Sequence, residues 1–571
     1  MIVVEDGRKL RLVGALRHRA QLLMMPGAHG WKNDQFFCEP TRANVEFISA
    51  NFPAAEWKAP QLAQFRKLAE IERQTLERTG GTTDYPFKTT PFAHQFDAFV
   101  RSKDLVNYAY FMEMGTGKTK VLIDNAGYLW YEGKILAMVL LAPNGVHRQF
   151  VTEQLKIHMS DTIMEDVDAF VYQSGGNKAF LQKKEAFLQE RGRFRILAMN
   201  VEALSHSSGV DYLRRFLLSV PGKSIRPVLM AVDESTRIKN HGSKRSQNIY
   251  KFGRVVTHRR ILSGSPVTRG VEDLFGQFSF LGADILGFKS FYTFRNRYCI
   301  MKDGKPTGAH GGSNYKVIVG YQNIEELKAR MKPWSSRVLK SECLDLPPKM
   351  YVRREVELSD VQRKLYSQLR REMLLEFDNK TLTAPMAAVR LTKLQQILCG
   401  HVRFTDQGAL VKIDDCPRME SLKELIEEAQ GQVIVWARFT PDIDRICEEL
   451  ADHGVSRYDG QVPQSERAYM IDSFRSGKHK IFVGQPASAG LGLNLVGPET
   501  VVYYSNSFDA EHRWQSEDRN HRAGAEGKHI TYYDLVVPGS IDSYILNRLQ
   551  QKKDVASMTV DDFKEMLSEE L

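Results

Sequence analysis

Cysteine is scarce in these 571 residues: the six (Cys38, Cys299, Cys343, Cys399, Cys416, Cys447) are scattered with no C-x-x-C pair, so neither a zinc knuckle nor a disulfide framework is indicated. Long apolar runs are missing as well. The longest, ILAMVLLA at 135–142, is far short of the roughly 20 residues a bilayer span needs. The opening MIVVEDGRKL lacks the basic and then apolar order of a secretion signal, so neither export nor membrane insertion is expected. No low-complexity segment stands out.

What is present is a chain too long for one ordinary core, with 42% apolar residues to bury several. Lys and Arg number 79 against 69 Asp and Glu, leaving a formal charge of +10, which raises the expectation of a polyanionic partner. Residues 1–57 alternate short apolar runs with turns and read as a small α+β accessory module, a unit of its own. Residues 58–84 read as a helical linker, with the apolar period running from Gln61 to Arg78. From residue 85 to 345, continuous apolar runs (LVNYAYFM, KILAMVLLAP, FRILAMN, PVLMAVDE, RRILSGSP) alternate with helical stretches. Runs buried on both faces are what parallel strands covered by helices require, so the pattern predicts a doubly wound α/β lobe. An insertion or hairpin is expected near 285–345, a helical connector over 346–415, and a second α/β lobe over 416–571 (VIVW, KIFVG, TVVYY, HITYYDLV).

GTGKT at Gly115–Thr119 follows an apolar run and opens a helical stretch. In such a loop the backbone N–H groups around Gly115, Thr116 and Gly117 converge on phosphate oxygens, Lys118 neutralises their charge and the Thr119 hydroxyl can ligate Mg²⁺. Met112 stands where the usual pattern has its first glycine; it is expected on the outer turn, where glycine only eases the bend. A second element should bring acids to the carboxyl end of a neighbouring strand. VLMAVDEST does so: Asp233 suits a metal ion and Glu234 suits the attacking water. Arg519 and Arg522 in RWQSEDRNHRAG are three apart on one helical face, a spacing shared by arginine fingers and by ordinary solvated basic helices.

These blocks follow one another in a telling order. PFAHQFDAF, MEMGTGKT, LLAPNGVHRQF, DESTRIKN, LSGSP, LPPK, LTKLQQILCGH, VIVWARF, DGQVPQSERAYMIDSFRSG, GLGLN and QSEDRNHRAG resemble the Swi/Snf-type ATPases of helicase superfamily two, over about residues 85–550. The resemblance implies two tandem RecA-like lobes with ATP between them, Mg²⁺ as cofactor, and sequence-independent contact with duplex or branched DNA by a monomer. It implies that Gln95 reads the adenine edge and that Ser263 and Gly264 in SGSP link hydrolysis to strand contact. Gln515, Arg519 and Arg522 would form the sixth motif, the arginines acting as fingers. Asn144, Gly490, Gly492 and Asn494 would contact nucleic-acid backbone or couple it to ATP. The chain departs from the family at QPASAG, where Pro486 and Ala487 replace a Thr and a basic residue and Ser488 is the substitute hydroxyl; Met112 replaces an Asp. MMPGAHGWKNDQFFCEP looks like the small accessory domain of the HARP branch, which makes residues 1–57 a candidate DNA-structure reader.

Three functions are compatible with these residues: an ATP-driven DNA translocase remodelling DNA or protein–DNA complexes, a strand-separating DNA or RNA helicase, and a DNA-binding scaffold that does not hydrolyse ATP. Lys118, Glu234 and Arg522 favour hydrolysis, and the DESTRIKN, LPPK and ILCGH blocks favour translocation. A compact motor without reader modules is expected in the cytoplasm of a bacterial or phage-infected cell, or in the nucleus of a eukaryote.

Overall fold

A parallel sheet of seven strands, five of them flanked by others on both sides, organises residues 107–338. The computed structural model describes all residues except 7–8, 26–28, 34, 59–69, 73, 75–82, 269, 305–314, 344–348, 379–383, 404–408, 490–492, 522–528 and 551–571. Two compact units result, Met1–Cys343 and Leu344–Leu571.

In the first unit the sheet runs, edge to edge, Ser335–Val338, Asn107–Met112, Val256–Leu262, Arg226–Val232, Ala137–Ala142, Phe194–Asn200, Val167–Val171. Every pairing is parallel. The two-residue alternation of a strand sends Ala109 and Phe111 into one apolar layer and Tyr108, Tyr110 and Met112 into the other. The expected insertion contains the antiparallel hairpin Cys299–Gly304 with Tyr315–Tyr321. It also contains Ser335–Val338, an edge strand of the lobe itself, and Glu113 N donates to Val338 O at 3.0 Å.

Residues 1–58 form a five-stranded sheet in the order His29–Lys32, Gln35–Cys38, Lys9–Val13, Ile2–Asp6, Glu56–Lys58, backed by the helix Arg42–Asn51. This module does not stand apart from the lobe. Arg42 pairs with Glu72, Arg330 with Glu46 at 2.8 Å, and Trp334 Nε1 donates to Glu72 at 2.8 Å. Ala43 joins the lobe's own core. Of the helix expected over Gln61–Arg78, residues 70–72 and 74 are described and helical; the remainder lies outside the described residues.

The second unit holds six parallel strands in the order Lys349–Glu355, Ile530–Val536, Thr500–Tyr503, Val433–Trp436, Ile481–Gly484, Val455–Tyr458. The helical connector expected over 346–415 needs correction: Lys349–Glu355 is an edge strand of this sheet. The helices Asp360–Asp378 and Ala384–Leu398 are helical as expected, and place Tyr366, Met373, Leu394 and Ile397 in the core of the same unit. No described helix is long and apolar enough to cross a membrane.

Candidate active site

In an open parallel sheet, the loops that leave the carboxyl ends of the strands form the crevice where ligands bind. Four of the first unit's loops of interest leave there: after Met112, Ala142, Val232 and Leu262. Met112 itself is the last residue of its strand, fully buried in the core, and not on the outer turn. The turn begins at Glu113, and only Gly115 (φ 84°) and Gly117 (φ 93°) take the left-handed backbone that glycine tolerates. Methionine at 112 therefore costs the loop nothing. At Gly117 the demand is double, because a Cβ would lie 2.2 Å from Gln95 Nε2.

Gln95 is buried and both ends of its amide are engaged: Oε1 accepts from Phe92 N at 3.0 Å and Nε2 donates to Thr116 O at 3.1 Å. His94 Nε2 reaches the same carbonyl at 2.8 Å, and Thr116 Oγ1 donates to Glu113 O at 2.8 Å. The helix carrying Gln95, Ala93–Ser102, thus braces the phosphate loop from behind. Lys118 opens the helix Lys118–Tyr131; it is buried, yet its ammonium makes no hydrogen bond or ion pair among the described residues. A phosphate oxygen at this helix N-terminus would supply the partner.

Lys120, two residues on, faces the other way. It pairs with Asp124 at 2.9 Å and donates to Thr89 O at 2.8 Å, tying the phosphate-loop helix to the segment that leads to Gln95. Burial pushes the Asp124 carboxyl up to about 6, against the pull of Lys120. The folded protein therefore binds this proton more tightly than the unfolded chain, so Asp124 lowers stability as pH rises from about 4 to about 6. Asp124→Asn is expected to gain stability relative to wild type across that window in urea unfolding; a constant difference between pH 4 and 7 would contradict this.

Asp233 and Glu234 follow the strand Arg226–Val232. Asp233 Oδ1 accepts from Glu234 N at 3.0 Å, and Glu234 has φ 49°, ψ 59°, a left-handed conformation that a non-glycine residue rarely adopts. Strain of this kind concentrates where a side chain must be aimed. The strand Val256–Leu262 lies between the phosphate-loop strand and the acid-bearing strand, so Ser263 and Gly264 sit between the loop and the acids. Ser263 N donates to Tyr110 O at 3.1 Å, and a Cβ on Gly264 would stand 3.3 Å from Met114 N. Arg337 Nη1 donates to Gly264 O at 3.0 Å. Asn144 leaves the fourth loop exposed, just before Gly145 turns the chain at φ 87°.

One positioning residue of this unit gave only a faint signal, a charge inside a run otherwise buried on both faces. Arg260 is fully buried, and its donors go to Asn125 Oδ1 on the phosphate-loop helix and to the carbonyls of Ser102, Leu105, Val106 and Arg259, at 2.8–3.1 Å. It joins the strand before Ser263 to both helices that frame the loop.

In the second unit the helix Ala510–Glu517 is capped by Asp509, whose side chain accepts from Glu511 N at 2.8 Å. Gln515 is buried and donates to Glu511 Oε1 at 2.8 Å. Arg519 is buried just past the helix end, and its carbonyl accepts from Leu495 N at 3.0 Å. Asn494 is exposed, and its carbonyl accepts from Arg475 at 3.0 and 3.1 Å. Asn494 and Arg519 are thus drawn together through Leu495. Arg522, Gly490 and Gly492 lie outside the described residues, as does the side chain of Ser488; Pro486, Ala487 and Ser488 fall in the short helix Pro486–Ala489.

Beneath the arginine helix is a network of buried charge. Arg513 is bonded to Asp534 through both terminal nitrogens, to Glu517 Oε1 at 2.7 Å and to Asn506 Oδ1 at 2.8 Å. Its guanidinium also lies 3.4 Å from the centre of the Tyr503 ring. Lys349 at 2.6 Å and Tyr351 at 2.8 Å meet Glu517 Oε2. The lysine of LPPK therefore anchors the helix that leads to Arg519.

Residues 103–402 match the SNF2-related domain and residues 417–524 the helicase conserved C-terminal domain. The mouse SWI/SNF-related matrix-associated actin-dependent regulator of chromatin subfamily A member 1 is 25% identical over 351 residues, 58% of this chain and 31% of the relative. The Saccharomyces cerevisiae ISWI chromatin-remodeling complex ATPase ISW1 is 24% identical over 461 residues, 77% of this chain and 37% of the relative. The chain thus spans about a third of the length of these curated relatives. A solved Sulfolobus solfataricus SWI2/SNF2 ATPase core in complex with dsDNA aligns at 18% identity with a TM-score of 0.38, over 86% of this chain and 100% of the other.

Proposed function

The chain belongs to the SNF2-related family, and from that premise we propose that it is an ATP-driven DNA translocase, which hydrolyses ATP on duplex or branched DNA to remodel DNA or protein–DNA complexes. The observation that carries this reading is the convergence of the phosphate loop, the Asp233/Glu234 pair and the Ser263/Gly264 turn on one edge of one parallel sheet. Backbone N–H groups of the loop bind the phosphates, and Lys118 offsets their charge. Thr119 and Asp233 would hold Mg²⁺, which neutralises charge on the transferring phosphoryl group. Glu234 takes the proton of the attacking water. Arg519 and Arg522 would supply finger charge, as the family's sixth motif implies. Gly264 lies close against Met114, and in the coupling role the family implies it would pass a change in the loop to the neighbouring turn. Grip on DNA phosphates would be independent of sequence and weakened by salt.

The test is ATP hydrolysis measured with no nucleic acid, single-stranded DNA, duplex, forked DNA and RNA, with and without residues 1–57. Stimulation by duplex or forked DNA is expected, with turnover lost in Lys118→Ala and reduced about a thousandfold in Arg522→Ala. Unchanged hydrolysis in both variants would overturn the proposal, and equal stimulation by RNA with separated strands as product would favour a helicase. A fork preference that disappears on removal of residues 1–57 would make the N-terminal module the structure reader.

A further inference from the structure

The amino edge of the first unit's sheet, opposite the phosphate loop, carries a groove that the nucleotide chemistry does not use. It has a volume of about 370 Å³ and runs between the helices Ser207–Ser219 and Lys244–Gly253, and its lining includes Arg226, which opens one strand, and Val255, which precedes the next. Val210, Arg214, Leu217 and Leu218 fall on one stripe of the first helix, at helical spacing. Leu217 and Phe252 are buried in the floor, whereas Leu218 and Val255 on the rim are 62% and 37% exposed. Exposed aliphatic side chains gathered around a concave apolar floor mark an interaction site rather than ordinary surface.

The surroundings are strongly basic. Residues 207–228 and 244–256 carry eight Lys or Arg and a single acid, Asp211. Arg214, Arg215 and Arg245 are paired with Asp211, Glu185 and Glu202. Lys223, Lys251 and Arg254 have no ion pair among the described residues. Lys251 lines the groove, and the other two adjoin its lining residues Ser224 and Val255.

We propose that this groove docks an acidic amphipathic helix of a partner protein, its apolar face on Leu217, Leu218, Phe252 and Val255 and its carboxylates against Lys251, Lys223 and Arg254. Two features favour protein over nucleic acid. The exposed rim is aliphatic, whereas strand-binding surfaces present aromatic faces for bases to stack on. The concave floor has the form that receives the i, i+3, i+4, i+7 anchors of a helix. Seven strand residues at about 3.3 Å each separate the groove from Asp233 by roughly 20 Å, so a bound helix leaves the nucleotide crevice open. This inference does not depend on what the ATPase acts upon.

The probe is a fluorescein-labelled 18-residue helix with Leu at i, i+3, i+4 and i+7 and Glu on its flanks, followed by anisotropy on the full chain. Its Lys-flanked twin and a 20-nucleotide thymidine strand are the comparisons. The Glu peptide should bind, and its Kd should rise at least about tenfold in both Leu218→Glu and Lys251→Glu. Both side chains are exposed, so the fold is not at risk, and ATP hydrolysis by both variants should match wild type. Oligonucleotide binding should be unchanged in them. Equal binding of the Glu and Lys peptides, no effect of either substitution, or loss of oligonucleotide binding in the variants would each overturn the proposal, the last by assigning the groove to nucleic acid.

Discussion

Glu234→Gln is expected to lower ATP turnover by about two to four orders of magnitude, the range for a lost general base, while nucleotide binding stays near wild type. Gln has the same volume and can still orient a water through its amide oxygen, but it cannot accept the proton. The backbone sharpens the expectation. Glu234 is held at φ 49°, and that conformation costs on the order of 1 kcal/mol or more, which a residue of purely structural value would not retain. Lys118→Ala should behave differently, because it removes a phosphate contact and weakens binding as well as turnover. Single-turnover hydrolysis with a separate measurement of labelled-nucleotide binding distinguishes the two. A Glu234→Gln rate within about threefold of wild type would exclude Glu234 as the base.

The phosphate loop and the acid pair were legible because each is local: a few adjacent residues, placed by an apolar run that must be a strand. The same logic explains what was misread. Lys349–Glu355 reads KMYVRRE and is largely exposed, since an edge strand pairs on one side only and need not be apolar. Ser335–Val338 is four residues long and polar at three of them, too short to show a period. The N-terminal module's attachment to the lobe rests on Arg42 and Trp334 meeting at Glu72. Lone charges and a tryptophan far apart in sequence give no sign that they share a site. Met112 illustrates the reverse error: aligned to a glycine pattern it was expected on the loop's outer turn, but strand register makes it core.

Arg513 shows the same limit at the functional site. The Arg513/Glu517 spacing of four residues is a helical signal, but Asp534 and Lys349 reach the pair from other strands. Arg513→Met is expected to destabilise the second unit by about 3–5 kcal/mol, the cost of removing one member of a buried charge pair. Asp534 and Glu517 stay buried, and a methionine of similar volume offers neither a charge nor a donor. The pH dependence gives the cause away. Arg513 is the larger of the two cationic influences that hold the Glu517 carboxyl below its ordinary range despite burial, so its stabilising contribution is present above that range and lost as pH falls through the depressed value. Without Arg513 the buried Glu517 carboxylate takes up a proton more readily, and the gap between variant and wild type should narrow from pH 7.5 toward pH 4.5. Urea unfolding followed by the fluorescence of Trp436 and Trp514, the second unit's two tryptophans, measures both effects. A gap that is small, or constant with pH, would show that packing rather than charge holds the arginine helix, and Arg519 would then owe its position to the Leu495 contact instead.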